Sequence, residues 1–178
     1  STTWADAANY AGLVIQQKGG VSGIDPQGAL FYQQNSVNAM NEGRNTSEIL
    51  WRVDRGDPSS NLEADQFPPT LFGRGRINPS QNLVDAFPMA NGYPVSDIAN
   101  SGFNAQAPYE NRDPRLKQYI LVNGGTAGVN NTAINTTVNS PTNDGLNKVE
   151  TSTRTGYYLR KLLRQDVNLN PSSTSGQY

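Results

Sequence analysis

The sequence predicts a mainly α fold with irregular loops and a few short strands. Residues 4–18 carry the clearest helical pattern, with apolar side chains at three- and four-residue spacing. Strand-like alternation is clearest in one short segment, 48–53. Two stretches, 56–77 and 123–153, show neither periodicity and are rich in turn-forming or small polar residues. Regular structure is therefore expected to be helical for the most part, and much of the chain to be loop.

The first predicted helix begins at a capping box formed by Thr3 and Asp6 and ends at Gly19-Gly20. Its periodicity predicts one buried face, which carries Trp4, Ala8, Ala11 and Ile15. The alanines on this face are small enough to let a second helix approach closely, as happens in stacked helix pairs.

Two elements are predicted in the middle of the chain. Residues 48–53 place Ile49, Trp51 and Val53 on one face of a strand, which the turn-prone segment 55–58 ends. Further on, Asn78 precedes a proline and predicts the N-cap of a helix that Pro88 stops.

Two further elements are predicted in the second half. Asp113-Pro114 repeats the helix-start signal, after which the chain forms either a helical turn through Ile120 or an extended segment over 119–122. Residues 157–163 predict a strand that passes into a helical turn. The aperiodic stretch 123–153 is interpreted as a mobile surface insertion.

The composition excludes several classes of function. The chain has no His and no Cys, which removes Ser-His and Cys-His nucleophile pairs, thiolate zinc sites and disulfides. The net charge is −1 and only 16% of residues are charged, so a nucleic-acid partner is not expected. The acidic residues show no spacing that singles out a catalytic carboxylate pair. No enzyme activity, cofactor or metal is therefore predicted.

Three sequence blocks follow one another in the second half of the chain. The first is PSQNLVDAF at 79–87 with MANG at 89–92, the second is Tyr109 with RDPR at 112–115, and the third is TGYYLRK at 155–161. In this order they resemble the middle of SusD/RagB family proteins. The opening WADAANYAGLVI and the later EILWRV are similar to the last scaffold helix of that family and the strand after it.

The resemblance implies that residues 1–178 are the middle portion of a SusD-like, tetratricopeptide-based domain. In this reading 1–19 is a scaffold helix, 48–122 and 154–164 match the family, and 123–153 is the surface insertion. Most helical repeats, the lipidated cysteine and the C-terminal part of such a protein are missing from these residues, so an internal fragment of marginal independent stability is expected.

The resemblance also implies a function. Family members bind glycans without cleaving them at the outer membrane surface of Bacteroidetes, where a lipid anchor holds them, and they deliver oligosaccharide or starch-type nutrients to a SusC-like TonB-dependent transporter. The membrane association of this chain would then depend on an anchor outside its sequence. The alternative is a protein-interaction scaffold that docks on the transporter without direct glycan contact.

A neutral sugar is bound by aromatic rings, which pack on its C–H surface, and by amide side chains, which form hydrogen bonds with its hydroxyls. Such residues occur in the loop that joins the first two matched blocks, and in 56–77 as second choice. The candidate glycan-binding residues are Tyr93, Phe103, Asn104 and Tyr109, followed by Phe67 and Phe72. Exposed rings would favour glycan binding, whereas full burial would favour the scaffold.

Overall fold

The structure, a computed structural model, describes residues 2–23 and 61–173, so the predicted strand 48–53 lies outside the described residues. The regular elements are mostly one or two turns long, and the described part is helix-rich with short strands, as predicted. The helices are α1 (Trp4–Gln17), α2 (Asn61–Gln66), α3 (Gln81–Ala86) and α4 (Pro114–Tyr119), with 3₁₀ turns at Gly20–Gly23 and Pro69–Leu71. The strands are β1 (Ile120–Leu121), β2 (Thr126–Ala127), β3 (Thr132–Ala133) and β4 (Tyr158–Leu159).

Helix α1 begins at the predicted capping box, but its apolar face is not buried. The Thr3 backbone N–H donates to Asp6 Oδ2 at 2.8 Å, and Asp6 N donates to Thr3 Oγ1 at 3.2 Å. Trp4 is 93% exposed, and no residue of α1 is buried. The predicted burial is therefore wrong within the described residues, because the 3₁₀ turn that packs against α1 is too short to cover the face. None of the described helices is both long and apolar enough to span a bilayer.

The helix start predicted at Asn78 lies two residues further on. Ser80 is the N-cap of α3, and its Oγ accepts a hydrogen bond from Leu83 N at 3.2 Å. The Asn78 carboxamide is used elsewhere, since its Oδ1 accepts from Arg154 N at 2.8 Å. The assignment of Asn78 as the cap is thus wrong, because a tertiary contact takes its side chain. The helix does end before Pro88, as predicted.

Helix α4 leads directly into the only strand pair formed by distant segments of the described chain. Asp113 is its N-cap and accepts from Arg115 N at 2.9 Å, which confirms the start signal. The helix ends at Tyr119 and the extended chain starts at the next residue, so both predicted alternatives occur in succession. Strand β1 pairs antiparallel with β4. After β4 the chain turns through Leu162, whose φ is +67°, and the predicted helical turn does not form because this backbone is left-handed.

The β1–β4 ribbon separates two clusters of the core. Successive side chains of a strand point to opposite faces. Ile120 and Val122 accordingly pack with Val84, Leu116 and Tyr157 on one side. Leu121 packs on the other side, together with Ala127, Ile134 and Tyr158. A third cluster joins the segment after α2 to the C-terminal part of the described chain, through Phe67, Leu163 and Val167.

Residues 123–153 contribute buried side chains to this core while many of their other residues lie at the surface, so their assignment as a surface insertion is wrong for the buried residues. The segment contains the β2–β3 hairpin, and its Ala127 and Ile134 are buried. Asp144 is also fully buried, and its carboxylate accepts hydrogen bonds from Thr70 N, Thr70 Oγ1 and Thr142 Oγ1 at 2.6–2.9 Å. A polar segment can be buried when its own groups satisfy one another in this way, and composition alone does not reveal such pairing.

We expect Tyr158 to make the stability of the protein fall at alkaline pH. Its hydroxyl accepts from Thr153 N and donates to Asp144 O, both at 3.0 Å, and burial raises the pKa of Tyr158 to about 12. The unfolded tyrosine ionises near pH 10, so this contribution is complete below pH 10 and is lost as the pH rises through 12. Urea unfolding between pH 9 and 12 should show a loss of up to roughly 2–3 kcal/mol from this group.

The Tyr158→Phe variant should be less stable at neutral pH and should lose part of this alkaline dependence. Tyr10→Phe is the matched control, since Tyr10 is exposed on α1. Identical pH profiles for the protein and its Tyr158→Phe variant would contradict the assignment.

Candidate functional site

The loop at 90–111 is closed at its base by backbone pairing. Met89 and Arg112 form an antiparallel β-bridge. Two further hydrogen bonds, of 2.7 and 2.9 Å, flank this bridge, from Ala90 N to Asn111 O and from Asp113 N to Pro88 O. The loop that carries most of the predicted site residues therefore leaves and re-enters the scaffold at one point.

The Arg112 guanidinium fixes the loop to helix α3. Its Nη2 donates to Val84 O at 2.6 Å and to Phe87 O at 2.8 Å, which satisfies carbonyls at the C-terminal end of α3. Its Nη1 donates to Pro108 O at 2.8 Å, inside the loop. The Phe103 ring lies 5.9 Å from the guanidinium carbon, at cation–π distance. Arg112 is only 7% exposed, so its role is structural.

The Asp113 carboxylate beside it is structural as well. It caps α4 and forms an ion pair with Arg115 at 2.5 Å. The hydrogen bond from Arg115 is the largest of the interactions that lower the pKa of Asp113, and it outweighs the opposing effect of burial. An ionised, paired carboxylate at this position caps the helix and is a poor proton donor.

The predicted binding residues of this loop differ in the solvent exposure of their side chains. Tyr93 is 46% exposed, and Asn104 is exposed with its Oδ1 accepting from Gln106 N at 2.9 Å. Phe103 is half-buried under Arg112. Tyr109 is half-buried too, and its hydroxyl donates to Tyr157 OH at 3.4 Å. The loop therefore presents one ring freely and two rings partly.

Tyr109 lines an open cleft of about 350 Å³. The cleft lies where α4, β1 and the segment after β4 meet. Besides Tyr109, its wall contains the charged and amide residues Glu110, Lys117, Asn123 and Arg160. Residues 120–122 and 124–126 complete the wall. Tyr109 is the only predicted binding residue among the described residues that line it.

The two second-choice residues separate in the structure. Phe67 is 1% exposed and packs with Leu163 and Val167, so it cannot stack on a ligand and its assignment as a site residue is corrected. Phe72 is 53% exposed, with φ +64°, and lines a different hollow of about 100 Å³. The sequence places both rings in one stretch, but the chain reverses between them through the 3₁₀ turn.

Lys117, Asn123 and Arg160 are among the cleft residues that were not predicted as site residues. Arg160 belongs to the TGYYLRK block, yet only the pairing of β1 with β4 brings that block to the side of Tyr109. This pairing joins residues 37 or more positions apart, which local periodicity does not report. Within residues 2–23 and 61–173, acidic side chains form no group that could hold a metal ion.

Known proteins match most of this chain. The sequence model of the SusD family matches residues 30–178. A crystal structure of a SusD-like protein from Bacteroides fragilis is similar in fold, with 22% sequence identity and a TM-score of 0.55. The match covers 77% of this chain and 29% of that chain, so the present sequence spans less than a third of that protein. None of the curated proteins matches the sequence.

We expect Arg112→Met to destabilise the protein by about 2–4 kcal/mol, because it removes the buried donor of Phe87 O and leaves Val84 O with the longer, 3.3 Å hydrogen bond from Phe87 N. Urea unfolding measures this change. Arg115→Met is the matched control three residues away; its side chain is exposed, and the variant should unfold close to the parent midpoint. Equal unfolding midpoints for the two variants would show that Arg112 does not hold the loop.

Proposed function

The chain belongs to the SusD family, and on this premise we propose that it forms part of a non-catalytic glycan-binding protein at the outer surface of a bacterial cell. The ligand class is oligosaccharide, such as a starch-type nutrient. Since the chain spans 29% of the similar SusD-like protein, this activity is proposed for the whole protein to which these residues belong. Anchoring in the outer membrane as a lipoprotein and delivery of the ligand to a SusC-like TonB-dependent transporter are parts of the same proposal.

The observation that carries this proposal is that the loop at 90–111, which Arg112 holds at its base, lies beside an open cleft. Rings in the loop offer flat apolar surfaces for the C–H faces of a sugar, and the side chains of Asn104 and Asn123 offer amide donors and acceptors for hydroxyls. Arg112 holds the base of the loop, so little ordering entropy is lost when a ligand binds. Exposed recognition residues on a fixed scaffold are typical of binding sites.

Absence of bond cleavage is supported by the state of the carboxylates. Asp65, Asp113 and Asp166 form ion pairs with arginines, and Asp144 is buried under three hydrogen bonds. A glycosidase needs two carboxyl groups facing each other across the bound sugar, one of them able to donate a proton. In the cleft lining, Glu110 is the single carboxylate among the described residues.

We expect glycan binding by the intact protein to depend on the rings of the loop. Tyr93→Ala, Phe103→Ala and Tyr109→Ala should each weaken binding about tenfold or more, by analogy with the roughly 1–3 kcal/mol of aromatic stacking on planar faces. Calorimetric titration with an oligosaccharide selected on a glycan array measures the effect. Ile98→Ala is the matched control, because Ile98 is an exposed apolar side chain of the same loop without a ring.

Wild-type affinity in all three ring variants, with unchanged melting temperatures, would place the glycan elsewhere. A loss of affinity in Phe72→Ala under the same conditions would then move the site to the second hollow.

The alternative role, a scaffold that docks on the transporter without touching glycan, is favoured by the exposed face of α1. Trp4 and Ile15 of the predicted face are exposed, as is Tyr10 on another side of the helix. On this reading Trp4→Ala should reduce co-purification of the transporter with the intact protein while the melting temperature stays unchanged, because exposed apolar faces of this kind are typical of protein contacts. Lys18→Ala at the end of the same helix is the control. A lower melting temperature with undiminished co-purification would show that the face packs inside the whole protein.

A further inference from the structure

Arg160 is a half-buried cation for which the described residues supply little compensation. Its Nη1 donates to Thr126 O at 2.7 Å, which is the only side-chain hydrogen bond that it makes within the described part of the chain. Its Nε is buried there without a partner. Burial lowers the pKa of Arg160. No charge among the described residues opposes this effect, whereas Asp85 opposes it for Arg112. A guanidinium offers five N–H donors; the buried Nε cannot reach a ligand, but one N–H of Nη1 and both of Nη2 have no partner among the described residues.

Most other arginines of the described residues have an aspartate or several carbonyl groups that compensate their charge. Arg74, Arg76, Arg115 and Arg164 each pair with an aspartate at 2.5–3.3 Å. The Nε of Arg112 is also buried without a partner among the described residues, but Arg112 donates to three carbonyls, where Arg160 donates to one. Keeping a cation away from water without partners is unfavourable, and groups perturbed in this way cluster at binding and active sites. Arg160 lines the 350 Å³ cleft, so an incoming group can approach it.

The surroundings of Arg160 favour a negatively charged group. Lys117 lines the same cleft and forms an exposed ion pair with Glu110 at 3.1 Å. Two cations against one carboxylate give the cleft lining a net charge of +1, whereas the whole chain carries −1. Asn123 accepts from Thr136 N through its Oδ1, which leaves its NH₂ group as a donor at the cleft.

We propose that this cleft binds the carboxylate of an acidic sugar, with Arg160 as its principal charged contact. The planar carboxylate matches the fork of a guanidinium, and the pair forms short, charge-assisted hydrogen bonds. The Tyr109 ring in the same wall supplies an apolar surface for the sugar ring. The inference rests on the proposed glycan-binding function and specifies it, since it selects uronate-containing oligosaccharides over neutral ones.

The test is a comparison of matched ligands on the intact protein. Oligomers of galacturonate, glucuronate and mannuronate are titrated calorimetrically beside the same oligomers after reduction of their carboxyl groups to alcohols. We expect at least one acidic oligomer to bind about tenfold or more tightly than its reduced counterpart, because a hydrogen bond to a charged group is lost on reduction. The preference should shrink as NaCl is raised from about 50 to about 500 mM, because salt screens charge pairs.

Single-residue variants test whether Arg160 causes the preference for the acidic oligomer. Arg160→Met should abolish the preference for the acidic oligomer and leave the affinity for the reduced one unchanged within about twofold. Lys117→Met should reduce the preference to a smaller extent, since that side chain is exposed and already paired. Arg154→Met removes the same charge from an exposed arginine that does not line the cleft, and it should bind as the parent does.

The outcomes separate the two levels of the proposal. Equal binding of acidic and reduced oligomers overturns the inference about Arg160 and leaves the glycan-binding function standing. Binding of a sulfated oligosaccharide without binding of any uronate overturns the carboxylate assignment. No binding of any oligosaccharide, in a protein that melts cooperatively, overturns both. A lower melting temperature of Arg160→Met with equal losses for both ligand types shows that Arg160 acts only in the structure.

Discussion

The burial of the Arg112 guanidinium under three carbonyl groups is the interaction on which the described loop depends. Two of these carbonyls end helix α3, and the third belongs to the loop itself. A carbonyl at a helix end needs a donor when water is excluded, and a guanidinium supplies several from one side chain. One residue thereby fixes the helix, the base of the loop and the Phe103 ring relative to one another.

The β1–β4 ribbon determines which side chains pack on the side of helix α3 and which pack on the opposite side. Because its residues alternate between faces, the ribbon divides the core, with Tyr157 on the side of α3 and Tyr158 on the side of the β2–β3 hairpin. Arg160 follows directly after β4 and so reaches the cleft at the end of the ribbon. The two arginines therefore have different surroundings. Arg112 donates to carbonyls at the end of a helix, whereas Arg160 lines an open cleft.

The amino-acid sequence by itself determined the features that depend on neighbouring residues. The capping box at Thr3 and Asp6 and the start of α4 at Asp113 are formed by residues two or three positions apart, and both are present as predicted. The matched blocks identified the family, which the match over residues 30–178 confirms. The lack of His and Cys excludes thiolate metal sites, disulfides and histidine-activated nucleophiles whatever the fold, because those side chains are required for that chemistry.

Only the tertiary structure decided which side chains are buried and which of them meet. Phe67 and Phe72 are equivalent by sequence, yet one lies in the core and the other at the surface, because a 3₁₀ turn separates them. Asp144 of the polar segment 123–153 is buried because its carboxylate finds donors at Thr70, 74 positions away. Tyr109 and Arg160 share a cleft because strands β1 and β4 pair. Contacts between distant segments follow from packing and strand pairing, which local periodicity and composition do not encode.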